Sequence, residues 1–357
     1  MGIKSLNTLL SKHTNISDER VRLSKFSGLR FAIDTNLYLY KYLYGKNNHI
    51  DGIFFMINKL KKFNIECIFI FDGKPPVEKK DRIDMRKSNR NKIENKINYL
   101  RMSIDKENED NEDNEDIRKE IDNLEKKIMY VNTDVINKTK KLFNLMAIPY
   151  IEAECEAEHY CSKLCKMNIV DGVISEDTDT IACGCKLVLR DFSNRDDSVL
   201  CYYINDILYD LNLNYHSFLD LCILLGNDYN SRIKGFHPDK IYELILKFSN
   251  IENILKNNMI KLPNFNYNNI RSIYSLKEIT PNMNEISSQI FKKKFQLLET
   301  IRFMEENSSI DSKTFKHRLH LMYTSDEKPP KKLSLFGNSK QNLYQVEFEQ
   351  FQSKYLT

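Results

Sequence analysis

Short apolar runs that end in an acid recur along the first half of the chain. Residues 29–34, LRFAID, close on Asp34, and ECIFIFD closes on Asp72. A third run, VDGVIS, leads into Glu176, Asp177 and Asp179 within VISEDTDTIAC. Between these runs lie segments with apolar residues at helical spacing: TNLYLYKYLYG, IDGIFFMINKLKKFN, VNTDVINKTKKLFNLM and CEAEHYCSKLCKMN. Strands alternating with amphipathic helices predict an α/β fold, a mostly parallel central sheet flanked by helices. From Ser217 onward the pattern is mainly helical.

One region breaks this rhythm. From Lys74 to Arg101 the chain is crowded with Lys and Arg and poor in apolar residues, then it turns sharply acidic in DKENEDNEDNED, Asp105 to Asp116. A mixed helical stretch follows to Met129. Residues 75–130 are therefore expected to leave the globular body, helical at both ends, with the acidic tract as a disordered tip. Residues 325–357 contain KPPKKL and have the character of a tail.

Composition adds limits. With 357 residues, 41% hydrophobic and 29% charged, the chain can bury a sizeable core. A net charge of +4 is too small to mark a nucleic-acid binder by itself, although basic and acidic residues are segregated. The eight cysteines form no CxxC pair, which suits reduced intracellular thiols. A zinc site drawing on His159 or on His317 and His320 lacks ligand spacing. No run approaches the ~18 apolar residues of a membrane span. MGIKSLNTLL has no signal-peptide layout, and Leu6 stands where a myristoylation motif has Ser or Thr. The expectation is an intracellular monomer that does not engage a membrane.

The acids carry the chemistry. In open parallel sheets, ligands sit beyond the carboxyl ends of the strands. That topology brings Asp34, Asp72, Asp177 and Asp179 together. EAECEAEH supplies Glu156 and Glu158 at the start of a helix, and GNDY adds Asp228 after LCILL. Carboxylates a few ångströms apart repel by about 4 kcal/mol per pair at an effective dielectric near 20. A divalent cation removes that repulsion, and a donor set without His or Cys points to Mg²⁺ or Mn²⁺. Seven acids exceed the needs of one magnesium ion; two ions about 4 Å apart would use them and suit in-line attack on a phosphodiester. A single Asp at a strand-to-helix turn is commonly a helix cap. Repetition at strand ends favours ligation for the set.

At these motifs the sequence resembles the flap-endonuclease/XPG family of structure-specific 5′ nucleases. Its segments run in family order: MGIKSL, FAIDTNLYLY, FIFDGKPP, PYIEAECEAEHYC, ISEDTDTIACG, LDLCILLGNDY and IKGFHPDK. The resemblance implies a PIN-like nuclease core with a helical arch at 75–130 and a helix–two-turn–helix at about 217–250. It divides the chain into nuclease regions at 1–101 and 131–256, a carboxyl-terminal helical region at 257–324 and a tail. Asp34, Asp72, Glu156 and Glu158 carry over to a first metal site, and Asp177, Asp179 and Asp228 to a second; Glu176 does not carry over. Lys79 and Arg86, two helical turns apart, fall where the family places basic residues against the scissile phosphate. Tyr40 stands where an aromatic ring stacks on a base, and Gly2 near the active site. Lys74, Arg232, Lys234, Gly235 and Lys240 are further DNA-contact candidates.

Two departures stand out. The family's G-I-G-P turn reads Gly235-Phe236-His237-Pro238 here, and Arg232 replaces a hydroxyl residue that helps hold potassium. The resemblance therefore does not carry a K⁺ site over directly, and the Arg232 guanidinium is expected to supply the positive charge. In KKLSLFGNSKQNLYQVEF, the Gln341–Leu343 spacing does not fit the family's sliding-clamp element. The leading expectation is a two-metal 5′ flap endonuclease and 5′-3′ exonuclease acting on branched DNA, a 5′ flap or gapped duplex, and leaving 5′-phosphates. It would act in DNA replication, repair or recombination, in the nucleus of a cellular host or in the cytoplasm if viral. A DNA-binding scaffold of the same fold with weakened catalysis is the alternative. A compact RNA-cleaving relative fits less well, because of the arch-like insertion and the helical lobe.

Overall fold

The computed structural model describes residues 2–15, 20–45, 48–104, 112–233, 235–260, 265–291 and 294–326. The first part of the chain forms α1 (Leu6–His13), β1 (Val21–Arg22), β2 (Arg30–Asp34), α2 (Thr35–Tyr44), α3 (His49–Lys62) and β3 (Glu66–Phe71). Two long helices follow, α4 (Lys80–Ser103) and α5 (Glu112–Ile128), then α6 (Thr133–Leu145) and β4 (Tyr150–Glu152). The middle contains α7 (Ala157–Lys166), β5 (Gly172–Ile174), α8 (Asp179–Ala182), β6 (Leu187–Arg190), β7 (Ser198–Tyr203) and α9 (Ile204–Asp210). Helices complete it: α10 (Tyr215–Leu225), α11 (Pro238–Phe248), α12 (Ile251–Lys256), α13 (Tyr267–Ser275), α14 (Met283–Phe291), α15 (Leu297–Asn307) and α16 (Ser312–Asp326). Residues up to Tyr323 form one compact unit.

The strands lie in the order β1-β7-β6-β5-β2-β3-β4. Pairings from β6 across to β4 are parallel, while β7 pairs antiparallel with both β6 and β1. This is the expected mostly parallel sheet, with an antiparallel edge that the apolar pattern did not reveal. The chain runs from β2 outward through β3 to β4, then returns to β5 on the other side of β2. The order of strands thus reverses beside β2, where such sheets open a crevice at their carboxyl ends.

Alternation along the central strands builds two apolar layers. Ala32, Ile68, Ile70 and Val173 face one layer with residues of α1, α7 and the α10–α13 helices. Phe31, Ile33, Phe69, Phe71 and Ile174 face the other, with α2, α3, α6 and α15. Phe143 of α6 packs its ring 4.5 Å from Phe69. Strands buried on both faces read as continuous apolar runs, which is why the sequence displays them so plainly.

Helices α4 and α5 form a hairpin with its own narrow seam. Ile97, Ile121 and Leu124 are buried there, flanked by Ile93, Leu100, Ile104, Ile117 and Ile128. Lys96 pairs with Glu120 at 2.6 Å, and Arg101 pairs with Glu125. The expected excursion is thus helical at both ends. Residues 105–111, most of the expected acidic tip, lie outside the described residues, as do 327–357 with the tail and its clamp-like segment. Glu112 to Asp116, expected within the disordered tract, instead open α5. Acids in a first helical turn are favoured by the helix dipole. Among the described residues no helix is long and apolar enough to cross a membrane.

Candidate active site

Helix capping puts the first acids in place. Asp34 ends β2 and caps α2, its Oδ1 accepting the Leu37 N–H at 3.2 Å. Asp72 follows β3 and caps a different helix: its Oδ1 accepts the Ala157 N–H at 2.9 Å, at the start of α7. Its Oδ2 accepts from the Asn36 amide at 2.8 Å. Asp177 accepts the Asp179 N–H at 3.0 Å and fixes the short turn after β5. Capping and ligation are compatible here, because a carboxylate oxygen has two lone pairs and a single N–H bond uses only one of them. Glu156 and Glu158 stand at the amino end of α7, and Asp228 follows α10 just beyond Gly226.

Gly226 adopts φ +89°, and a Cβ there would lie 2.5 Å from the Arg232 nitrogen, so a side chain would displace the loop carrying Asp228. Gly2 is equally constrained. Its φ is also +89°, and a Cβ would fall 2.1 Å from the Asp177 carboxylate. The Ile3 N–H donates to the Thr178 hydroxyl at 2.7 Å and the Lys4 N–H to the Gly226 carbonyl at 2.9 Å. The amino-terminal segment is thus pinned between two acid-bearing loops.

Carboxylate oxygens of Glu158, Asp177 and Asp179 all lie within 4.8 Å of one another, and all three residues are buried. Burial, followed by the charge of Glu156, holds the Glu158 carboxyl well above the ordinary range. Burial and then Asp177 do the same for Asp179, and burial and then Asp72 for Asp34. Burial also raises Asp177. Clustered, buried oxygen donors that resist ionisation fit a hard divalent cation.

Lys79 reaches into the same cluster. It is buried, bonds Glu156, and lies 3.1 Å from Asp228 and 3.8 Å from Glu158. Burial works against its charge, yet Glu158, Glu156 and Asp228 hold its pKa above the usual lysine value. Arg86 reaches Asp228 at 3.5 Å. Glu176 points away, paired with Lys41 at 3.0 Å and accepting the Asp191 N–H.

The outlying candidates are more dispersed. Tyr40 is 39% exposed and stacks on Tyr44 at 6.5 Å. Lys74 is exposed. Between α10 and α11, Gly235 adopts φ +82°, and the Arg232 guanidinium donates to the Phe236 carbonyl at 2.5 Å. Lys240 pairs with Glu243 at 2.8 Å, and Lys234 lies outside the described residues.

Three residues near the acids were not found by sequence reasoning, and a fourth, His159, was weighed there only for zinc. Arg82, on α4, lies 2.6 Å from Asp228. The Tyr229 hydroxyl donates to Glu156 at 2.8 Å, and the Tyr274 hydroxyl donates to Asp179 at 3.1 Å. His159 packs against both tyrosine rings, and burial lowers its pKa to about 4, so it is neutral. Tyr229 follows Asp228 directly and was within reach of the motif. Tyr274, 95 positions from Asp179, gives no local signal.

Residues 1–93 match the XPG N-terminal domain, and residues 147–228 match the XPG I-region. Flap endonuclease 1 of Entamoeba dispar is 32% identical over 295 residues, spanning 77% of this chain and 75% of the relative. The chain belongs to the flap-endonuclease/XPG family. Flap endonuclease 1 of Encephalitozoon cuniculi is 33% identical over 297 residues, with 78% and 83% covered. The same fold appears in the catalytic core of Rad2 in complex with DNA substrate: TM-score 0.61, 25% identity, 90% of this chain and 99% of that one. The flap endonuclease-1 of Methanococcus jannaschii superposes with a TM-score of 0.63 at 22% identity, over 87% and 98%. Family membership makes the chain a nuclease, and the buried acidic cluster has a donor set that suits a metal ion.

Proposed function

We propose that this chain is a structure-specific 5′ flap endonuclease and 5′-3′ exonuclease, hydrolysing DNA phosphodiesters at single-strand/double-strand junctions. The observation that carries the reading is the buried cluster of Glu158, Asp177 and Asp179 at the reversal point of the sheet, joined by Glu156 and Asp228 through Lys79 at the base of a cationic helix. Asp34, Asp72, Glu156 and Glu158 would serve one Mg²⁺ ion, and Asp177, Asp179 and Asp228 a second. Bound there, the ions would supply Lewis-acid polarisation and neutralise charge on the phosphate.

This chain's own residues then do the positioning. The burial that raises the pKa values of Asp34, Glu158, Asp177 and Asp179 also limits the water that would weaken their hold on a bound ion. Lys79 and Arg86 offset negative charge as it builds on the scissile phosphate. Gly2 admits the backbone close to Asp177, and Tyr40 offers an exposed ring to an unpaired base. The α10–α11 turn would hold duplex backbone, with Arg232 tying the Phe236 carbonyl in place of a monovalent cation. Residues 75–130 would form the arch over the flap.

A panel of 5′-labelled flap, gapped, nicked and four-way DNA substrates, with Mg²⁺ and with EDTA, tests this reading. Expected is metal-dependent cutting at the junction that leaves 5′-phosphates. Tight, structure-selective binding without cutting would replace it with the scaffold alternative.

A further inference from the structure

Lys79, Arg82 and Arg86 recur at intervals of three and four residues, so they share one face of the α4 base. All three converge on one acid. Lys79 and Arg86 approach Asp228 Oδ2 at 3.1 and 3.5 Å, while Arg82 Nη1 approaches Oδ1 at 2.6 Å. Arg82 does something more: the same nitrogen donates to the Asn227 carbonyl at 2.9 Å. It thereby holds both the main chain and the side chain of the loop that carries Asp228.

The two contacts differ in kind. Arg82 Nη1 donates to the neutral Asn227 carbonyl at 2.9 Å, whereas its 2.6 Å contact with Asp228 Oδ1 is an ion pair. The Asp228 oxygen is thus already engaged by a cation, and a second cation at the same oxygen has to share or displace it. Asp228 is only 3% exposed and Arg82 25%, so water screens the contact weakly. A divalent ion drawing on Asp228 would compete for that coulombic contact and leave the Asn227 hydrogen bond intact.

We propose that Arg82 is a positioning residue with two separable effects: it docks the hairpin base onto the Asn227–Asp228 loop, and it competes with divalent metal for Asp228. The inference rests on the nuclease reading above. Docking holds Lys79 and Arg86 over the acids and so favours cleavage. Competition weakens metal binding in the absence of DNA. Removing the guanidinium therefore shifts the two observables in opposite directions, which simple damage to the site would not do.

The test uses the full chain, with Mn²⁺ as the probe. For Arg82→Gln, Mn²⁺ affinity without DNA, read by electron paramagnetic resonance, should tighten about threefold to tenfold, the size of a partly exposed ion pair. Single-turnover cleavage at saturating Mg²⁺ should slow by about tenfold through misplacement of Lys79 and Arg86. Amide exchange over residues 80–90 should rise in the metal-free protein. Arg82→Lys keeps the charge without the dual reach, so it should slow cleavage while leaving Mn²⁺ affinity near wild type. Unchanged or weaker Mn²⁺ binding in Arg82→Gln overturns the competition, and an unchanged cleavage rate overturns the docking. Wild-type protein that neither binds Mn²⁺ nor cleaves would instead defeat the nuclease reading itself.

Discussion

The crevice has two unlike halves. Glu156 and Asp228 are held by cations from the hairpin base, with Glu158 at the edge of Lys79's reach. Across from them, Asp34, Asp72, Asp177 and Asp179 form no ion pair with any Lys or Arg among the described residues. Their neighbours there are backbone amides, Asn36, the Tyr274 hydroxyl and one another. The protein neutralises one half internally and leaves the other protonated or dependent on an outside cation. Buried charge is tolerated only when something compensates it, so the unpaired half marks where an added ion gains most. The acids are not each neutralised by a base of their own: one lysine is shared by three acids, and three basic residues crowd a single aspartate.

Substitutions on either side test this contrast. The largest effect is expected from Asp177→Asn in the unpaired half: cleavage of a labelled flap at saturating Mg²⁺ should fall by at least ~100-fold, as charge stabilisation is lost. A rate within threefold of wild type would remove Asp177 from the metal set. Lys79→Met in the paired half should slow cleavage by about 100-fold. It should also destabilise the metal-free protein by about 3 kcal/mol in urea unfolding, because buried Glu156 and Asp228 lose their countercharge. A slower enzyme of unchanged stability would mean that the pairing seen without metal contributes nothing to the fold.

The unpaired half, together with Glu158 at its edge, also sets a pH dependence. Asp34, Glu158, Asp177 and Asp179 have folded pKa values raised above the unfolded ones. As pH rises from the unfolded carboxylate range through the folded values, the folded state holds more protons than the unfolded state. Stability of the metal-free protein is consequently lost over that window. Divalent metal binds the ionised form, so its stabilisation should be larger at pH 8 than at pH 5, reaching about 2.7 kcal/mol at a hundredfold excess over Kd. Thermal melts with Mg²⁺ or EDTA at both pH values measure this, and equal gains at the two would contradict it. The smallest effect is expected from Tyr274→Phe, which removes one donor from Asp179: about 1 kcal/mol, or roughly fivefold in Mn²⁺ affinity. An unchanged affinity would show that Asp179 keeps its orientation without it.

Much of this site was legible because strands buried on both faces spell themselves out, and the residue after each apolar run falls at the same sheet edge. Asp34 and Asp72 could be placed from that rule alone, whereas the residue directly after VDGVIS is Glu176, and the family resemblance was needed to set Asp177 and Asp179 apart from it. Arg82 could not: in KKDRIDMRKSNR, every basic residue looks alike until the Asn227–Asp228 loop is set against one helix face. Tyr274 was hidden for a related reason, since α13 reaches Asp179 only through tertiary packing. The antiparallel β6–β7 pair escaped because DFSNRDD separates two short strands with no tight-turn signature. Glu112 to Asp116 were expected to be disordered on composition, whereas their place at the start of α5 suits the helix dipole. Local pattern located the elements that carry charge. It did not reveal which distant side chains come to meet them.

The central claim, that the unpaired acids await divalent ions, is tested most directly by counting them. Mn²⁺ titrated into the full chain without DNA, and followed by electron paramagnetic resonance, should saturate at two ions per chain. Asp179→Asn should lose one of them with little change in circular dichroism. Failure of the wild-type chain to take up Mn²⁺ above the level of an unrelated protein, or an unchanged count in Asp179→Asn, would contradict the account.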